Sequence, residues 1–414
     1  MTSKVTKTIQ HQCCIVGGGP AGMMSGYLLA RAGIDVVVLE KHKDFLRDFR
    51  GDTIHPSTLE LMKELGLLDE FLQRPHQQLK QLKLKSAGES ITLADFTKIK
   101  AFCQYIVFMP QWEFLDFIAG QASKYPSFHL LMECEAVDLI EEDGKVSGVK
   151  AKTSAGLLII LANLTIGADG RSSVLRNRAG FNVQNIGAPM DVLWMRVSKD
   201  PEDSTEYLGH FGQGSILVTI DRGDYWQCAF VIPKGQFEKF KEHGIDYLRQ
   251  RMVSKMPSLK NNINEIQDWD DCFLLTVAVD RLKKWWRPGF ICIGDAAHAM
   301  SPIGGVGINL AIQDAVAAAN ELVPALEGGG DVEAALEKIQ KRREFPTKMT
   351  QNFQVFVQNR IISNVINESD TESIPFPLRV IQTIPLLRRL LAHVIGLGVR
   401  QEHIQTPDMK YAKP

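Results

Sequence analysis

Residues 15–22 read Ile-Val-Gly-Gly-Gly-Pro-Ala-Gly, and this stretch limits the fold more than any other. An apolar run over residues 13–16 enters a turn that carries Gly17, Gly19 and Gly22 at G-x-G-x-x-G spacing. A helical pattern over residues 21–32 and a second strand over residues 34–39, closed by Glu40, complete a strand–turn–helix–strand–acid unit. The first glycine permits the tight turn, the second lets a pyrophosphate approach the backbone, and the third lets helix and strand pack closely. The helix N-terminus offers its N–H groups to the phosphates. Glu40 stands where a carboxylate accepts from ribose hydroxyls. Val16, Pro20, Ala21, Leu39 and Lys41 flank these positions and are expected to line the same dinucleotide. The spacing does not choose between FAD and NAD.

A chain of 414 residues has room for two or three domains. A formal net charge of −1 gives no general pull toward nucleic acid or an anionic membrane. The seven cysteines are odd in number and form no C-x-x-C pair, which favours a reduced, intracellular setting over a disulfide framework. Residues 1–12 are polar, and no run of eighteen apolar residues occurs, so neither a secretion signal nor a membrane span is expected. The expectation is a cytoplasmic protein acting on a small molecule, without a nucleic-acid partner.

Further along, residues 56–71 and 111–123 read as amphipathic helices. Residues 130–140, 146–151 and 157–161 read as a meander, and 165–170 as a separate buried strand reaching a polar turn. Residues 192–233 alternate short strands with turns and predict a separate, largely antiparallel sheet. Residues 236–256 are helical, 290–293 form a buried strand, 308–326 an Ala-rich helix and 332–345 another helix. Residues 374–398 mix Leu and Ile with Arg379, Arg388 and Arg389. They either pack as helices or touch a membrane surface, and Pro375, Pro377 and Pro385 favour packing by interrupting any long helix.

Two more strand ends run into polar turns. One carries Ala168-Asp169-Gly170-Arg171, the other Gly294-Asp295, with Pro302-Ile303-Gly304-Gly305-Val306-Gly307-Ile308-Asn309 shortly after it and ahead of the long helix. A carboxylate at a strand end accepts from sugar-like hydroxyls, and a Gly-rich turn before a helix aims N–H groups at negative charge. Taken in this order, the three motifs resemble the group A flavoprotein monooxygenases, the para-hydroxybenzoate hydroxylase family of FAD-dependent aromatic hydroxylases.

That resemblance implies an α/β fold: a Rossmann-like FAD-binding domain, an inserted, largely antiparallel substrate sheet, and C-terminal helices. The expected division is 1–75, 101–180 and 270–325 for FAD, 76–100 and 181–269 for substrate, and 326–414 for the helices. FAD is expected to bind non-covalently, with NAD(P)H as transient reductant and dioxygen as co-substrate. The implied chemistry is hydroxylation of an aromatic, phenolic or quinone- or polyketide-like molecule through a flavin C4a-hydroperoxide. Carried over by position, Arg50 with Gly51 and Gln111 approach the cofactor, and Ala136 or Val137 touches adenine. Ala168, Asp169 and Gly170 match the motif that serves both FAD and NAD(P)H, and Gly294 with Asp295 the ribityl-binding acid. Pro302, Gly305, Val306, Gly307, Ile308 and Asn309 match the loop under the flavin ring. Arg50 and Gln111 also read as a solvated charge and a helix start, and His298 reads as a packed structural histidine.

Substrate-lining candidates come from the inserted sheet: Arg196, His210, Phe211 and Gln227, with Ser215 and Phe230 behind them. Alternation along strands lets about half of them face one side. No side chain is assigned as catalytic and no metal site is expected. Two other readings share the resemblance: a flavin-dependent reductase of a polyprenyl chain, and an FAD-binding protein without turnover.

Overall fold

The computed structural model describes residues 5–46, 53–86, 88–203, 208–212, 214–367 and 376–409. Arg50 and Gly51 lie outside these.

The strand Val5–Val16 pairs in parallel with Val36–Leu39 on one side and Gly156–Gly167 on the other. Phe128–Leu131 and Phe290–Cys292 extend the parallel set outward. Val36–Leu39 is buried at every position, as a strand covered on both faces requires. The helix Pro20–Arg31 packs between this sheet and the helices Gly307–Glu327 and Gln111–Ala122. The register fixes what matters for function. Val16 stands opposite both Leu39 and Gly167, and Gly167 opposite Cys292. The turns after residues 16, 167 and 292 therefore leave adjacent strands at one edge of the sheet. In an open parallel sheet that edge, at the carboxyl ends of the strands, is where ligands bind.

A second sheet has seven strands in the order Phe273–Leu275, Met190–Ser198, Tyr225–Pro233, Ser215–Asp221, Gly209–Gly212, Gln81–Ser86, Glu89–Asp95. It is antiparallel except where Gly209–Gly212 meets Gln81–Ser86. One face packs Leu193, Met195, Trp226 and Phe230 on Leu248 and Met252 of the helix Ile245–Lys255. The other packs Met190, Ile216, Val231 and Phe211 on Ile362, Val365 and Ile303, the last from the Gly-rich loop. The C-terminal helix Pro385–Gly396 settles on the edge of this sheet, where Ala392 and Leu397 pack with Ala94, Phe96 and Ile99.

Several elements differ from expectation. Residues 56–71 form two helices, Pro56–Glu64 and Leu68–Phe71, because Gly66 turns left-handed between them. Residues 236–256 likewise break at Gly244. The two strands expected at 157–161 and 165–170 are one, Gly156–Gly167. The expected first strand of the meander splits. Phe128–Leu131 joins the parallel sheet, and Glu135–Glu142 pairs antiparallel with Lys145–Thr153. The helix at residue 332 does not stop at 345 but runs as Val332–Val357, with Pro346 buried inside it.

Candidate cofactor and substrate site

The first turn is built by four hydrogen bonds from backbone N–H groups. Gly17 N–H donates to Leu39 O at 2.8 Å, and Ala168 N–H donates to Val16 O at 2.8 Å. Glu40 closes the turn from the other side: Oε2 accepts from Gly18 N–H and Oε1 from His42 N–H, both at 3.0 Å. Gly22 sits where a Cβ would meet Gly17 O at 1.9 Å, so the helix approaches the turn more closely than any side chain allows. Gly19 is the opposite case. Its backbone is extended, φ −77° and ψ −176°, and a Cβ there would meet no heavy atom within 4 Å. The helix Pro20–Arg31 follows with Pro20 in its first turn and no side-chain cap, and the first N–H groups of a helix have no partner inside it. An accessible backbone, uncapped N–H groups and a clamped carboxylate suit a pyrophosphate–ribose unit. Cys134 N–H donates to Glu40 O and Glu133 N–H to His42 O, which brings the strand carrying Ala136 and Val137 beside the acid.

The second and third turns are joined by Arg171, whose Nε donates to Asp295 Oδ2 at 3.0 Å. In the sequence Arg171 stands in the Ala168-Asp169-Gly170-Arg171 turn, and nothing in that motif assigns it this task. Asp169, by contrast, is spent locally. It accepts from Ser173 Oγ, Val174 N–H and Leu175 N–H, and so caps the helix Val174–Arg178. Burial pushes its carboxyl upward while these hydrogen bonds pull it back.

Beneath the Gly-rich loop, Asn309 acts as a rivet. Its Oδ1 accepts from His55 N–H and Thr58 Oγ at 2.8 Å each, and its Nδ2 donates to Thr53 O at 2.9 Å and Gly305 O at 3.3 Å. Its side chain is thus committed to the protein, and any contact it makes with a ligand runs through the backbone. Thr53 Oγ donates to Gly305 O at 2.8 Å, and Gly305 adopts φ +62° against that side chain. His55 is buried, faces Ile395 O through Nδ1 at 2.7 Å, and is held down at about 4 by burial, so it is neutral at physiological pH. Asn309→Leu takes the acceptor from the buried His55 N–H and the Thr58 hydroxyl and a donor from Thr53 O and Gly305 O, the latter keeping Thr53 Oγ. We expect a loss of about 3 kcal/mol, read as a lower denaturant midpoint at unchanged slope.

The far side of the loop is held by a stripe that sequence reasoning missed. Gln351 Nε2 donates to Ala299 O at 3.0 Å, and Gln354 Nε2 donates to Ser301 O and Ile303 O at 2.9 Å each. Gln354 Oε1 accepts from Ser301 N–H at 3.1 Å, and Gln358 Nε2 donates to Ser301 Oγ at 2.7 Å. All three glutamines are buried. Their spacing of three and four residues is one helix face, and that was the available signal. His298 is the packed histidine expected: its Nε2 lies 2.6 Å from Asp314 Oδ2 beneath the Gly294 turn.

The sheet candidates divide. Arg196 and Gln227 line a cleft of about 410 Å³ with Arg222, Tyr225, Phe273 and, from the start of the Gln111–Ala122 helix, Trp112. Arg196 lies over the Tyr225 ring at 3.9 Å, and Gln227 Oε1 accepts from Arg222 Nε at 3.0 Å. Phe211 and, from the loop, Ile303 both pack against the cluster of Met190, Ile216 and Val231. Phe230 belongs to the opposite face, beneath Ile245–Lys255, and His210 keeps company with Lys255 and Lys85. Burial, then those two cations, hold His210 down at about 4.

Comparison with known proteins agrees with this architecture. The family described as FAD binding domain matches residues 10–353. The chain is 30% identical over 352 residues to the 6-methylpretetramide 4-monooxygenase of Streptomyces rimosus, covering 84% of each chain. It is 23% identical over 420 residues to the digeranylgeranylglycerophospholipid reductase of Methanocella arvoryzae, covering 94% of this chain and 99% of that one. Among solved structures, the OxyS anhydrotetracycline hydroxylase from Streptomyces rimosus superposes with a TM-score of 0.75 at 20% identity, covering 95% of this chain and 77% of that one.

Proposed function

The chain belongs to the FAD binding domain family as an FAD-dependent monooxygenase of the aromatic-hydroxylase type, and on that footing we propose that it uses NAD(P)H and dioxygen to hydroxylate a fused-ring, phenolic, polyketide-like small molecule. One observation carries the reading: three Gly/Asp turns leave adjacent parallel strands at one edge, with the face of an antiparallel sheet packed on the third turn's loop.

When bound, FAD supplies the two-electron chemistry that activates dioxygen. The chain's own residues bind and orient. Gly17, Gly19, Pro20, Ala21 and Gly22 receive the pyrophosphate, and Glu40, between Leu39 and Lys41, receives the ribose. Ala136 and Val137 lie toward adenine. Asp295, oriented by Arg171, meets the ribityl chain. The N–H groups that open Gly307–Glu327 would hold the ring end of the cofactor and offer stabilisation to negative charge there. Asn309 and the glutamine stripe hold that helix start and its loop still. Arg196, Phe211 and Gln227 present the sheet face to substrate. Residues 1–75, 101–180 and 270–325 form the cofactor unit and 76–100 and 181–269 the substrate unit, to which Phe273–Leu275 adds an edge strand. The described residues of 326–414 pack on both, through the glutamine stripe and the helix Pro385–Gly396.

Among the described residues no helix is long and apolar enough to cross a membrane. All seven cysteines are free and buried, which suits the reducing cytoplasm. Ile384, Leu386 and Leu390 are exposed beside Arg388 and Arg389, so any membrane contact is peripheral and runs through this segment.

The flavin-loaded protein is expected to oxidise NAD(P)H slowly alone and at least about tenfold faster with a polycyclic phenol, incorporating one atom of labelled dioxygen. A flavin that NAD(P)H never reduces with any phenolic ligand would remove the monooxygenase reading. Hydrogen transfer to an alkene without oxygen uptake would favour the reductase chemistry named for the Methanocella relative.

A further inference from the structure

The parallel sheet has a second end, away from the glycine turns, and three side chains from neighbouring segments meet there. His11 lies in the first strand, Asp35 immediately precedes the Val36–Leu39 strand, and His129 lies in Phe128–Leu131. His11 Nδ1 stands 3.0 Å from Asp35 Oδ2, and His129 Nε2 stands 3.1 Å from Asp35 Oδ1. The donor atoms of all three lie within 4.8 Å of one another, and the two imidazole centroids are 4.9 Å apart. His11 is five residues before the end of its strand, so the cluster sits roughly 17 Å along it from the glycine turn. Nothing in the proposed flavin chemistry uses these residues.

We propose that this cluster is a binding site for a divalent cation of the zinc class. Two imidazoles and one carboxylate are the donor set zinc takes when three protein ligands leave a fourth position to water. Donors around a tetrahedral zinc stand about 3.3 Å apart; the two imidazoles face different oxygens of Asp35, so an ion on one oxygen needs the three donors to close from the 4.8 Å they now span. The anchor is fixed in advance. Asp35 N–H donates to Gln12 Oε1 at 2.8 Å, while Asp35 O accepts from Gln12 N–H at 3.0 Å and Cys13 N–H at 3.1 Å. The carboxylate is therefore held to the first strand by its own backbone on both sides. Its side chain is 41% exposed and that of His129 44%, which gives an ion a path in and the imidazole room to turn. The thiols, softer ligands that would compete, are all buried elsewhere. A bound ion ties three parallel strands together at the end remote from the cofactor, so it stabilises the sheet without entering the reaction.

The test uses flavin-loaded protein dialysed against micromolar zinc chloride, followed by metal analysis and a melting curve. The expected result is one retained zinc per chain and a melting temperature raised by several degrees. His11→Ala and His129→Gln each lose both effects, while His243→Ala, at an exposed histidine outside the cluster, keeps them. Substituting copper for zinc should give an electron paramagnetic resonance spectrum with two coupled nitrogens, falling to one in His129→Gln. Wild-type protein that retains no zinc would overturn the proposal. So would zinc that both cluster variants retain in full. Because His129 is half-exposed, His129→Gln reports on the site even if His11→Ala fails to fold. Zinc-independent NAD(P)H oxidation keeps this result separate from the flavin reading.

Discussion

Gly19→Val is expected to give a folded protein that no longer holds flavin. The backbone at residue 19 is extended, a conformation any residue adopts, and a Cβ built there meets nothing. The fold therefore has no reason to notice the substitution. The ligand does, because a branched side chain then occupies open space directly before the uncapped N–H groups of Pro20–Arg31. We expect flavin affinity to fall at least about a hundredfold, or about 2.7 kcal/mol. The measurement is flavin absorbance per chain after gel filtration, beside an unchanged far-ultraviolet circular dichroism spectrum. Gly22→Val, three residues away, should behave differently. Its Cβ would lie 1.9 Å from Gly17 O, a backbone atom that cannot move without breaking the turn. That variant is expected to be insoluble or unfolded with or without added flavin. If Gly19→Val binds flavin as the parent does, no phosphate approaches this turn, and the assignment of the site falls.

The same contrast explains which parts of the molecule could be read from its residues. A glycine turn, a strand of four consecutive apolar residues and an acid at its end are local features, and each carries its own physical reason. The strand–helix–strand core and the order of the three turns were legible on that basis. What was not local was hidden. Whether Gly66 ends a helix depends on the left-handed conformation it takes, which spacing does not reveal. The sequence reading ends this helix before Pro346, yet it continues because its next turns bury Gln351 and Gln354 against the backbone of residues 299–303, with Gln358 just beyond on the Ser301 hydroxyl. Those glutamines look like surface residues until a loop from fifty residues earlier needs partners for its carbonyls. Asp169 illustrates the converse. Its place in the motif suggests a ligand contact, and its side chain also accepts from the first N–H groups of a short helix, which the motif does not reveal. In the second sheet, alternation predicts that half the candidates face each way. Which half required the clusters themselves: Phe211 packs against that of Met190 and Ile216, and Phe230 belongs to that of Leu248 and Met252.

Arg343→Met should cost about 3–5 kcal/mol at neutral pH, the largest effect on stability expected of a single side chain remote from the turns. Arg343 is fully buried, donating from Nε to Asp314 Oδ1 at 2.8 Å and from Nη1 to Glu402 Oε1 at 3.0 Å. Methionine keeps much of the volume and removes the cation, so two carboxylates are left with weakened compensation. Burial raises the Asp314 carboxyl, but His298 and Arg343 together outweigh it and hold the group below the usual aspartate range. A carboxyl lowered in the folded state contributes stability that is complete above its unfolded pKa, about 3.9, and is lost as pH falls through the folded value. The gap between parent and variant should therefore be widest near neutrality and close in acid, which denaturant melts at two pH values would measure. Adding Asp314→Asn to Arg343→Met should restore part of the loss, since it removes the stranded charge. The network also reaches the cofactor edge, because Gly294 N–H donates to Asp314 Oδ2 at 3.1 Å. Flavin should accordingly leave Arg343→Met at denaturant concentrations below those that unfold it. An Arg343→Met chain as stable as the parent at neutral pH would show that these buried carboxylates do not depend on the guanidinium.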